Sequence, residues 1–114
     1  MNDVIKIYEN EIGLSFHWSH TNTLLTQVIF RDIGFYLSAQ EIAFFLEQIA
    51  ESRFKSTCHK CQYGENCRSL LLKTPSEKVS LAVSKRELNQ IEDLLRGTLF
   101  QINLTSYLEN ICKN

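Results

Sequence analysis

Apolar positions along the chain follow two rhythms, and the change from one to the other occurs twice at matched places. In IGFYLSAQEIAFFLEQI, residues 33–49, apolar side chains recur at every second position (Ile33, Phe35, Leu37) and then at helical spacing (Ile42, Phe45, Leu46, Ile49). In VSLAVSKRELNQIEDLL, residues 79–95, Val79, Leu81 and Val83 alternate before Leu88, Ile91, Leu94 and Leu95 take up the helical spacing. Period two marks a half-buried strand, and the wider spacing marks an amphipathic helix. Ile33 aligns with Val79, an offset of 46 that also brings Ser38 onto Ser84 and Glu41 onto Glu87.

Each change of rhythm coincides with a Ser-x-x-Glu box. The serine hydroxyl accepts a hydrogen bond from the amide three residues on, and the glutamate reaches back to the serine amide. Two orphan donors at a helix start are thereby satisfied, with a carboxylate at the positive end of the helix dipole. Helices are therefore predicted from about Ala39 to Ser52 and from Lys85 onward. Gly97 weakens the second helix, and Asn103 or Thr105 is placed to cap a last short helix through Tyr107, Leu108 and Ile111.

Upstream, TLLTQVIF precedes the first copy and SLLLKTP the second, so each copy reads as strand–strand–helix. VIKIY and GLSFHW around the polar turn ENE predict a further hairpin. The expected fold class is α+β: two strand–strand–helix repeats, about 14–52 and 60–100, form one mostly antiparallel sheet with the helices on one face. A pseudo-twofold axis relates the halves, 53–68 forms a cysteine-rich connector, and residues 1–114 make a single domain. The aromatic set Phe30, Phe35, Tyr36, Phe44, Phe45, Phe54, Phe100 and Tyr107 is assigned mostly to the core by spacing. Phe44 stands out of phase with its stripe, which makes an interaction surface the alternative there. The sheet face without helices is left seeking a partner, and homodimerisation through it is the expectation.

Composition changes this picture little. The 114 residues are 44% hydrophobic and 22% charged with one proline, an ordinary globular balance. No apolar run nears the roughly 20 residues of a membrane span, and the N-terminus lacks the basic start and apolar block of a secretory signal. A cytoplasmic location is expected. Net charge is −1, so nothing draws the whole chain toward nucleic acid or an anionic membrane. The charge is uneven, however. Residues 1–52 carry two basic and seven acidic side chains, 53–86 carry eight and two, and 87–114 carry two and four. The basic middle (Arg53, Lys55, Lys60, Arg68, Lys73, Lys78, Lys85, Arg86) is expected to pair with the acidic flanks.

Candidate chemistry is concentrated in TCHKCQYGENCRS, residues 57–69. Cys58-x2-Cys61 has the bite a tetrahedral zinc prefers, and Cys67 follows after Gly64, which permits a tight reversal. A closed site needs a fourth ligand, for which Cys112 or His20 is the leading choice, with His59 and His17 also within the candidate set. Two other readings stand beside zinc. The thiols are reduced structural residues, or they carry redox chemistry, with Lys60, His59 and Arg68 available to stabilise a thiolate. The pair follows a helix and precedes a strand, unlike a thioredoxin-type centre. No Gly-rich phosphate loop, G-x-S-x-G elbow or H-E-x-x-H is present, and Glu41 and Glu87 are accounted for by capping.

From FRDIGFYLSAQEIAFFLEQIAES through CHKCQYGENC and SLAVSKREL to the end, the chain resembles a family of short uncharacterised bacterial proteins. These form a domain of unknown function, chiefly in Bacteroides-like bacteria. The resemblance implies a small cytoplasmic bacterial protein and brings no activity, cofactor or site residue with it. The expected function is a non-enzymatic interaction or regulatory module stapled by zinc. The alternative is a thiol-redox or metal-dependent enzyme using the same cysteines with His17, His20 or His59.

Overall fold

A computed structural model describes residues 4–18, 25–55 and 67–111. The element order is β1 (Val4–Glu9), β2 (Gly13–Trp18), β3 (Leu25–Phe30), β4 (Ile33–Ser38), α1 (Ala39–Lys55), β5 (Leu70–Lys73), β6 (Ser80–Val83) and α2 (Lys85–Ile111). The fold is α+β. Every strand pairing is antiparallel, but the strands form two sheets where one was expected: β1-β2-β3-β4, and a separate β5-β6 ribbon. A two-stranded ribbon is marginal alone. Here Leu70, Leu72 and Val83 tie it into the common core with the helices.

Both helices begin where the capping boxes place them. The Ser38 amide donates to Glu41 Oε1 at 2.9 Å and the Glu41 amide to Ser38 Oγ at 3.2 Å. At the second helix the corresponding distances are 3.0 and 3.1 Å for Ser84 and Glu87. The α1 helix runs three residues past the expected Ser52.

The separate C-terminal helix is not present. Instead α2 continues unbroken for 27 residues through Gly97, Asn103 and Thr105. Its continuity has a tertiary cause. A Cβ at Gly97 would lie 2.5 Å from the Tyr8 ring, so the missing side chain is filled by a β1 aromatic. Tyr8 Oη donates to Asp93, and the Asn10 side-chain amide donates to the Gln90 carbonyl at 2.8 Å, fastening the hairpin along α2. Ser15 Oγ and Thr98 Oγ1 complete the seam at 2.6 Å, both buried.

Register decides which face of the sheet looks inward, because directly paired residues share a face. Thr26, Val28 and Phe30 pair with Leu37, Phe35 and Ile33. Val28 also pairs with Ser15, which in turn pairs with Tyr8. A break in register between Lys6 and Tyr8 shifts β1 by one residue, and this aims Tyr8 at α2. Val28, Phe30, Phe35 and Leu37 join Ile42, Phe45 and Ile49 of α1 and Leu88, Ile91, Leu94 and Leu95 of α2 in the core. All four apolar positions expected to form the α2 stripe are buried, as are three of the four in α1, with Leu46 half-buried.

The aromatic assignment needs correction. Phe30, Phe35 and Phe45 are core residues, but Tyr36, Phe44, Phe54, Phe100 and Tyr107 are exposed. Tyr36 lies between the inward Phe35 and Leu37, so alternation turns it out. Phe44 precedes the buried Phe45 on the helix, and one residue rotates a side chain by about 100°. Phe100 and Tyr107 lie on the part of α2 that extends past its buried positions.

Candidate docking face and the base of the cysteine connector

Of the zinc candidates, Cys67 and His17 fall within the described residues, and Cys67 is the one cysteine among them. It is half-buried three residues before β5, and its carbonyl accepts from the Ser69 amide at 2.9 Å. Cys58, Cys61, Cys112 and His20, with His59, lie outside the described residues. Among the described residues no three His, Cys, Asp or Glu side chains cluster as a metal site would require. His17 is part of β2, and its Nε2 stands 2.9 Å from the Thr26 hydroxyl. Burial lowers its pKa, which favours the neutral ring in this half-buried position.

The described residues at the two ends of the connector are each pinned to α2. At the entry, Arg53 Nη2 meets Glu92 Oε1 at 2.8 Å and also bonds Asn89. At the exit, Arg68 holds Glu87 through Nε and Nη2, the shorter contact being 2.8 Å. Burial pushes the Glu87 carboxyl up, but the Arg68 hydrogen bonds, the Ser84 amide and the charge of Arg31 outweigh it and leave the pKa lowered. For Glu92 the Arg53 hydrogen bond dominates, opposed by burial and assisted by Arg96, and the pKa is again lowered. These pairs join the basic middle of the chain to acidic groups, in line with the charge pattern. Between the clamps, a cleft of about 250 Å³ is lined by Arg53, Leu70, Lys85, Leu88 and Asn89.

Arg31 links the turn after β3 to the same region. Its backbone adopts φ 59°, a left-handed conformation uncommon outside glycine. Its guanidinium donates to the Ala82 carbonyl at 3.0 Å and lies 3.7 Å from Glu87. The side chain thus bridges the two sheets, which supplies a reason for a non-glycine residue in that turn.

The larger feature is the outward face of the four-stranded sheet. Reading across paired positions, one row holds Val4 and Trp18. A second holds Lys6, Phe16, Gln27 and Tyr36, and a third Glu9, Leu14, Ile29 and Gly34. Trp18 meets Phe16 edge-on, with ring centroids 5.2 Å apart. Phe16 is itself buried yet lies outside the core cluster, as expected of a side chain on the far face. Tyr36 is 42% exposed and Val4 50%. Both helices pack against the opposite face, through Val28, Phe35 and Leu37 and through the Ser15–Thr98 contact. Sequence reading missed these particular residues. Their signal was apolar side chains in both phases of LTQVIF and IGFYL, beside the apolar phase Leu14, Phe16 and Trp18 of GLSFHW, which a sheet wet on one side does not need.

No family model, curated protein or solved structure matches the chain. Among the described residues no helix is long and apolar enough to cross a membrane.

Proposed function

We propose that the chain is a non-enzymatic cytoplasmic interaction module that pairs with a second copy of itself through the outward face of the β1–β4 sheet. The observation that supports this reading is the apolar band formed by Leu14, Phe16, Trp18, Ile29 and Tyr36, on the face opposite both helices. A sheet needs to bury only one face to fold, so an apolar second face has its use in association. Polar residues are sparse in the band: Gln27 is central, its amide donating to the Phe35 carbonyl, and Lys6 and Glu9 pair with each other at the edge. A face with little charge is suited to meeting its own copy across a twofold axis. The connector is part of the same proposal. Cys58, Cys61 and Cys67, with Cys112 or His20, hold zinc and staple the crossing between the clamps at Arg53 and Arg68.

The sole tryptophan lies on the proposed interface and provides the test. Acrylamide quenching of Trp18 is expected to weaken as protein concentration rises, in step with dimer formation seen by sedimentation. Tyr36→Lys, on an exposed position, is expected to keep the far-UV spectrum while restoring strong quenching at all concentrations. Quenching that is independent of concentration in the native chain would overturn the sheet-face reading.

A further inference from the structure

The α2 helix carries two apolar faces. Leu88, Ile91, Leu94, Leu95 and Thr98 are buried against the core. Farther along, Phe100, Leu104, Tyr107, Leu108 and Ile111 are exposed, at 62, 38, 62, 49 and 52%. At the helical turn of about 100° per residue, the second group spans an arc roughly 100° wide, centred about 160° from the first. It is therefore a separate stripe rather than the core stripe running on past the sheet.

Its spacing is informative. Phe100, Leu104, Tyr107 and Ile111 recur at intervals of four, three and four, the alternation that keeps a seam facing a partner helix. The positions flanking that seam are Gln101, Asn103, Leu108 and Asn110, none of them charged. Flanking charges are how such seams select an unlike partner and reject a like one. Here nothing repels a second copy, and nothing recruits an oppositely charged one.

We infer that the C-terminal half of α2, from Phe100 to Ile111, pairs with the same segment of a second copy, seam against seam. The area is sufficient. With an aromatic side chain presenting about 150–250 Å², the five residues expose on the order of 500 Å² per chain. Two chains then remove about 1,000 Å² from water, the size at which specific interfaces begin. This contact is separate from the sheet face, because its residues lie on α2 and α2 packs on the other side of the sheet. A chain with two self-complementary faces assembles beyond a dimer, most simply as a tetramer with mutually perpendicular twofold axes.

Sedimentation of the purified full chain over about 1 to 100 μM, with Trp18 quenching recorded on the same samples, tests this. Leu104→Glu combined with Tyr107→Glu places like charges opposite one another on an exposed helix face, where glutamate is a good helix former. The double variant is expected to retain the native far-UV spectrum and to weaken one association step roughly 100-fold, while Trp18 stays shielded in the remaining dimer. If association is unchanged in the double variant, or if the native chain stays monomeric throughout, the inference is overturned. If the native chain shows one step that Tyr36→Lys abolishes and the double variant leaves intact, the seam fails and the sheet face stands. If that one step is lost in the double variant and survives Tyr36→Lys, the seam stands and the sheet-face reading fails.

Discussion

Ser38 and Ser84 cap their helices with the same reciprocal bonds, but Glu41 is exposed whereas Glu87 lies beneath Arg68 and beside Arg31. The two boxes should respond differently to mutation. Ser38→Ala removes one cap and is expected to lose about 1 kcal/mol. Glu87→Ala removes a cap partner and a charge-assisted pair together, and is expected to lose roughly 2 kcal/mol in urea unfolding. Acid should separate the pair further. The Glu87 carboxyl titrates below its ordinary value in the folded chain, so its contribution is present above the unfolded value, about 4.3. That contribution is lost as pH falls through the lower, folded value. Glu87→Gln keeps a side chain able to bond the Ser84 amide but carries no charge for Arg68. Its stability should vary less with pH over that window than the native chain's, as melting between about pH 6 and 3 would report. An equal acid slope in both proteins would count against the Arg68–Glu87 pair as a stabilising contact.

At the scale of elements, what was legible in the sequence was local. Ser-x-x-Glu followed by helical spacing fixed the starts of α1 and α2 to the residue, because capping involves groups three positions apart. The hairpin around ENE was equally readable, and Asn10 Oδ1 turns it by accepting from the Ile12 and Gly13 amides. What was not legible depended on distant contacts. Gly97 looked like a weak point in α2, and only the Tyr8 ring explains why the helix passes through it. Tyr36, Phe100 and Tyr107 looked like core because composition does not say which of two faces is covered. Likewise the cysteine spacing marked a connector, while the clamps beneath it needed Arg53 and Arg68 to find carboxylates on another element. The Gly97–Tyr8 contact yields a sign reversal. Alanine in place of an interior glycine usually stabilises a helix by about 1 kcal/mol. Here Gly97→Ala must displace a ring held by Asp93, and overpacking of that kind costs about 1–3 kcal/mol. Gly97→Ala is thus expected to lower the melting temperature in the native background and raise it in a Tyr8→Ala background. The same sign in both backgrounds would mean that Tyr8 does not fill the position.

For the whole molecule, the described core residues fall on both sides of the connector, from Val28 to Ile49 and from Leu70 to Leu95. They alone join the two sheets and the two helices in one buried cluster. The ends of the connector are held by ion pairs on α2, which are partly exposed and individually modest. Zinc bound by Cys58, Cys61 and Cys67 would therefore organise the connector rather than build the domain, in contrast to small metal-dependent domains that unfold when stripped. This division has a measurable consequence. Elemental analysis of the reduced protein should find one zinc per chain, with thiols that react only after a chelator is added. On chelation the far-UV spectrum should be kept and the melting temperature should fall by only a few degrees, because the buried apolar cluster is untouched. Global unfolding on chelation would place the connector within the cooperative core. Four thiols reacting freely in a metal-free protein would instead remove the zinc staple and leave the clamps at Arg53 and Arg68 as what fixes the crossing.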